Sequence, residues 1–171
     1  MPIKTLLTAA LGAALVATAV PASAEAPVVR IKRNPSAIIL DAARVNAGTD
    51  MIFLSGQLPA PVDPAKPMSE VKSLEEMGDT KAQTISALGK IRDILATQGF
   101  AMADVVKLSL FVAADPRLGK MDFAGANEGF KNFFGTAENP ATVARSTFQV
   151  AALVGPYYLI EIEAIAAKKK R

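Results

Sequence analysis

The sequence predicts an α+β domain in the order β-β-α-β-α-β-β, one sheet carrying two helices on a single face. Three observations lead there. Residues 82–95 and 121–134 repeat apolar side chains every three or four positions, the period of an amphipathic helix. Residues 37–45, 51–54, 105–112, 142–151 and 157–166 are short runs of strand-forming residues. The last of them alternates, with Ile160, Ile162, Ala164 and Ala166 on one side and Leu159, Glu161, Glu163 and Ile165 on the other.

Taken in order, residues 25–36, with Pro27 and Pro35, read as a short leader into the domain. Residues 37–45 form the first strand, Gly48-Thr49-Asp50 a turn and residues 51–54 the second strand, the two making a hairpin. Ser55-Gly56-Gln57 ends it. The glycine there signals close backbone approach or an unusual φ, or simply a bulge and turn. Pro59, Pro61, Pro64 and Pro67 block helix and sheet alike, so residues 59–79 make a long connection, a feature that is often functional in a compact domain. Asp79 or Thr80 caps the first helix, Ala82, Ile85, Leu88, Ile91, Ile94 and Leu95 form its stripe, and Gly99 stops it. After the third strand, Asp115-Pro116 leads into the second helix, whose apolar positions are Phe123, Ala126, Phe130 and Phe133 or Phe134. The last two strands are joined across Gly155-Pro156.

The ends of the chain read differently from the 37–167 domain. Lys4, an apolar run to Val20 and Ala22-Ser23-Ala24 make the three-part pattern of a signal peptide over residues 1–24, cleaved before Glu25 and leaving no stable membrane insertion. Export places the mature protein in the periplasm. The net charge is +3, but of the 19 basic residues one lies in the signal peptide and four in the tail 168–171. The remaining 14 face 16 acidic residues, so no basic surface for nucleic acid is expected, and the tail reads as a solvated end. The chain has no cysteine and no histidine. That excludes thiol nucleophiles, disulfides, serine-histidine triads and ordinary zinc sites. Chemistry is left to Arg, Lys, Asp, Glu, Ser, Thr, Tyr and the backbone.

Arg145, Glu161 and Glu163 stand inside apolar strands, where unpaired charge is expensive. If the helices cover one face of the sheet, the other holds all three. Such a mixed face suits packing against another copy of itself around a wet cleft. On the residues alone the three charges are either a structural ion-pair cluster or a ligand site.

Several runs resemble the RidA (YjgF-type) family of imine/enamine deaminases. They are Met51-Ile52-Phe53-Leu54-Ser55-Gly56-Gln57-Leu58-Pro59, Asp104-Val105-Val106-Lys107, Phe111-Val112, Asp122-Phe123-Ala124 with Asn127, Ala144-Arg145-Ser146, and residues 160–166. The resemblance covers residues 38–167. It implies a chorismate-mutase-like fold and a homotrimer with a central barrel of sheets and three ligand sites at subunit clefts. It also implies that Arg145 grips a substrate carboxylate and Glu161 activates a water, with Asn127, Ser55 and Gly56 lining the same cleft. The substrate it implies is a small carboxylate-bearing imine or enamine, for which neither metal nor cofactor is needed. The alternative is a non-catalytic trimer that binds small carboxylates or a partner in that cleft; a chorismate mutase lacks the required cluster of cations. The chain departs from the family where residues 39–44 lack the first-strand Gly-Pro-Tyr tyrosine that sits over the substrate, where Val143 replaces a proline, and in longer loops at 59–79 and 114–120.

Overall fold

The computed structural model describes residues 25–170; the predicted signal peptide lies outside them. The chain runs β1 (Val28–Ile31), β2 (Ala42–Val45), β3 (Thr49–Gln57), α1 (Thr80–Thr97), β4 (Val105–Ala113), α2 (Phe123–Phe130), β5 (Ala144–Val150) and β6 (Ile160–Lys169). The main sheet has the order β3-β6-β4-β5, antiparallel except for the β4–β5 pair, which is parallel and crosses over through α2. The two helices cover one face, as expected for an α+β domain of this kind.

Local signals set the helices. The Asp79 carboxylate accepts from the Ala82 amide at 2.8 Å and caps α1. Ala87, Leu88, Ile91 and Leu95 are buried against Leu108, Leu110, Ile160 and Ile162 of the sheet. Each large side chain of this kind contributes roughly 1.5–3 kcal/mol by leaving water. Gln83, buried in the same helix, donates to the carbonyl of Tyr157 and accepts from the Leu159 amide, tying α1 to the approach of β6. Asp122 caps α2 by accepting from Gly125 at 2.8 Å, and α2 is shorter than the expected 121–134.

The strands differ more from expectation. The hairpin between residues 37–45 and 51–54 does not form. β2 pairs with β1, β3 pairs with β6, and the leader 25–36 therefore contains a strand. Four residues of β2 give few ladder bonds, whereas nine-residue β3 finds a ten-residue partner in β6. The last two strands are not neighbours either, because β4 lies between them. β6 runs on through Lys168 and Lys169, so the basic tail begins inside the sheet. The Lys168 ammonium lies 4.2 Å from the Phe100 ring centroid and donates to the Gly99 carbonyl.

The helices meet where Gly129 faces Thr84. A Cβ built at Gly129 lies 2.5 Å from the Thr84 Cβ and 2.9 Å from the Lys81 carbonyl oxygen. Gly129→Ala gains up to about 1 kcal/mol in helix propensity, but the buried Thr84 Cβ and the Lys81 backbone carbonyl are not flexible chain ends. Overpacking of this kind costs about 1–3 kcal/mol. The variant is expected to lose several degrees in Tm, read by thermal melting; an unchanged or raised Tm contradicts this packing.

Candidate functional site

β5 is an edge strand, and its register with β4 decides where its charge goes. Arg145 stands opposite Leu108, a fully buried core residue, so its side chain lies on the helix-covered face. Glu161 stands opposite Phe111, and Glu163 opposite Ser109, both on the uncovered face. The expectation of all three charges on one face is corrected. The alternation within β6 is as read, but the phase of β5 is set by a parallel pairing that alternation within each strand does not reveal. Among the described residues Arg145 forms no salt bridge. Within one chain, Arg145 therefore makes no ion pair with Glu161 or Glu163.

Beneath α2 the Arg145 guanidinium is framed by three side chains at helical spacing. Its carbon lies 4.6 Å from the Phe130 ring centroid and 5.9 Å from that of Phe123, and Nη2 donates to the Asn127 side-chain oxygen at 2.6 Å. Phe123, Asn127 and Phe130 are i, i+4 and i+7, so one face of α2 presents all of them. Nη1 is buried with no hydrogen-bond partner among the described residues. Burial pushes the guanidinium below its ordinary pKa, although arginine stays protonated at any working pH. Stacking and one neutral acceptor leave part of the cation's hydrogen-bonding capacity unused, which suits a carboxylate with its two oxygens.

The other predicted residues gather near the opposite edge. β3 has an irregularity between Leu54 and Gln57, and Ser55 and Gly56 occupy it. The Glu161 carboxylate folds over this bulge: a Cβ at Gly56 lies 1.8 Å from Glu161 Oε1. The expectation of a close approach at Gly56 is met, and what approaches is a carboxylate. Ser55 lies on the open face with Lys107, Ser109 and Glu163 around a shallow depression of about 260 Å³. Lys107 donates to Ser146 Oγ at 2.7 Å. Phe53 is 70 % exposed beside these polar groups, and Met51 and Phe148 are also exposed.

The site residues thus fall into two groups, Arg145 with Asn127 and Glu161 with Ser55 and Gly56. β5 and β3 are the two edges of the sheet, separated by three strand spacings, roughly 14 Å. The aromatic frame of Arg145 was missed. The apolar stripe of α2 contains Phe123 and Phe130, and Asn127 between them at helical spacing is the signal that this face meets a polar group. Among the described residues no group of three or more His, Cys, Asp or Glu side chains is placed to hold a metal ion.

A profile described as Endoribonuclease L-PSP matches residues 41–168. The 2-iminobutanoate/2-iminopropanoate deaminase of Escherichia coli is 35% identical over 120 residues, 70% of this chain and 81% of that protein. The crystal structure of the E. coli YjgF gene product is 32% identical, covers 80% of this chain and 92% of its own, and superposes with a TM-score of 0.52. E. coli TdcF, determined with bound serine, is 29% identical with a TM-score of 0.53, covering 82% and 99%. The chain belongs to the Endoribonuclease L-PSP family, the RidA/YjgF family that its motifs resemble.

Proposed function

We propose that this protein hydrolyses small carboxylate-bearing imines and enamines to keto acid and ammonia, as a homotrimer exported to the periplasm. The observation that carries the reading is the half-buried guanidinium of Arg145, held by Asn127 and two phenylalanine rings with Nη1 unbonded. It stands in a chain 35% identical to a 2-iminobutanoate/2-iminopropanoate deaminase, and TdcF carries serine, another small carboxylate. The family description names an endoribonuclease instead. A body with 14 basic against 16 acidic residues and no histidine offers little to an RNA backbone.

A substrate carboxylate docks on Arg145 and holds the adjacent imine carbon in place. Glu161 orients a water that adds to this carbon and takes a proton from it. The resulting carbinolamine receives that proton on nitrogen and releases ammonia as its hydroxyl passes its own proton to Glu161 and becomes the carbonyl. One water is consumed and one ammonia formed. A protonated imine is already electrophilic, so orientation is most of what the protein supplies.

Arg145 and Glu161 of one chain lie on opposite faces and on strands separated by β4, so they cannot converge on one small molecule. Two copies can bring them together. The exposed Met51, Phe53 and Phe148 give the open face an apolar surface to bury in that assembly. Protein recovered from the cell envelope is expected to start at Glu25 by intact mass and to scatter light as about three chains. A monomer, or a chain that keeps residues 1–24, contradicts the assembly or the export respectively.

Ammonia release from freshly generated 2-iminobutanoate tests the activity. Each charge-assisted hydrogen bond is worth roughly 1.5–3 kcal/mol, and 1.4 kcal/mol is tenfold. Arg145→Ala is therefore expected to weaken substrate capture at least about tenfold, and Arg145→Lys to restore it only in part, because the fork is lost. Glu161→Gln should lower kcat more than it raises KM. A wild type that binds 2-oxobutanoate through Arg145 yet leaves the imine's decay unaccelerated is a binding protein, and the hydrolase reading falls.

Gly56→Ala probes the pose of Glu161 without removing it. The clash is with the far end of a flexible side chain, so the carboxylate moves and the fold persists. Turnover is expected to fall toward that of Glu161→Gln, with Tm changed by no more than a few degrees. Full turnover with a new alanine at this position contradicts the assigned pose.

A further inference from the structure

Arg145 is preceded by three residues that are all tied to one segment, residues 30–40. The Arg30 guanidinium donates to the Thr142 carbonyl at 3.4 Å. The Thr142 hydroxyl in turn donates to the Ile38 carbonyl. The Leu40 amide donates to the Val143 carbonyl at 2.9 Å, and Leu40 bridges Ala144 in parallel. Arg30 also donates to the carbonyls of Ala103 at 2.6 Å and Val105 at 3.1 Å, where β4 begins. A single planar fork thus joins the starts of both strands of the parallel pair. The segment itself is anchored, since Arg30 faces Ala43 in the β1–β2 ladder.

β5 is an edge strand, with β4 as its one partner in the sheet. Its first turn of pairing is where Arg145 sits, and an edge strand frays from its end. Residues 30–40 supply the missing neighbour at that end. The family match begins at residue 41, so Arg30 and the whole of β1 precede the matched region.

We propose that residues 28–40 brace the strand that carries Arg145, and that Arg30 is a positioning residue for carboxylate capture. This rests on the function proposed above. Arg30 touches no substrate; it acts by holding Thr142 and the start of β4 so that the Arg145 guanidinium keeps its place under α2. Small displacements of a positioning group carry large kinetic costs. Lysine at position 30 keeps the charge but cannot span three carbonyls with a fork.

The test compares Arg30→Ala, Arg30→Lys and a destabilised control, Leu95→Ala, in the α1 core away from β5. Steady-state kinetics with 2-iminobutanoate and titration with 2-oxobutanoate are measured well below each Tm. Arg30→Ala is expected to raise KM and Kd about tenfold with kcat within twofold, and Arg30→Lys to fall between it and the wild type. Leu95→Ala lowers Tm and leaves KM in place. In an Arg145→Ala background, Arg30→Ala should change Kd no further, since its effect passes through Arg145. Amide hydrogen exchange should quicken at residues 143–147 in Arg30→Ala and stay unchanged in α1. Unaltered Kd, additive effects in the double variant, or unchanged exchange at residues 143–147 overturns the brace. A wild type that neither binds 2-oxobutanoate nor hydrolyses the imine overturns the function above, and the exchange measurement still decides on the brace.

Discussion

Arg145 keeps a positive charge on the core side of a sheet, beneath α2, where it has lost much of its water. An ion in such a place costs several kcal/mol unless its surroundings replace that hydration. Two aromatic faces and one amide oxygen supply part of the replacement and, among the described residues, leave Nη1 without an acceptor. The surrounding fold serves this arrangement. α2 must be in register to present Phe123, Asn127 and Phe130 together, and the contact of Gly129 with Thr84 sets how closely α2 approaches α1. The parallel β4–β5 pairing, reached by the crossover through α2, turns Arg145 toward the helix instead of toward solvent.

The second half of the chemistry is built on different physics. Glu161 lies on the face that neither α1 nor α2 covers, and its carboxylate occupies the space that a missing side chain at Gly56 leaves open. The β3 bulge makes that space without breaking the sheet, since pairing with β6 resumes at Gln57. With a half-buried cation on one edge and an anion near the other, each chain carries both charges but not side by side. Under the proposed function, association of copies is then a condition for catalysis, and activity and assembly become one property.

Much of this was legible in the sequence. The Asp79 cap, the α1 stripe, the alternation of β6 and the crowding at Gly56 are local, and local rules found them. The motif runs identified the family and so the fold class. What could not be read was relational. Whether Arg145 faces a helix or solvent depends on which residue of β4 it opposes, and strand alternation is silent on that. β1 is four residues between prolines, too short to signal a strand, and its partner β2 was promised to β3 by proximity alone. Lys168 and Lys169 looked like a solvated end because charge suggests surface, yet one lies on Phe100 and both pair with β3.

The bonds made by Arg30 span 73, 75 and 112 residues of chain. Closing such loops costs conformational entropy, so residues 30–40 hold their place through distant contacts and not through local structure. With that segment undocked, the outer edge at the start of β5 would offer unpaired amides and carbonyls to any extended chain nearby. The same segment thus covers a sheet edge open to mispairing.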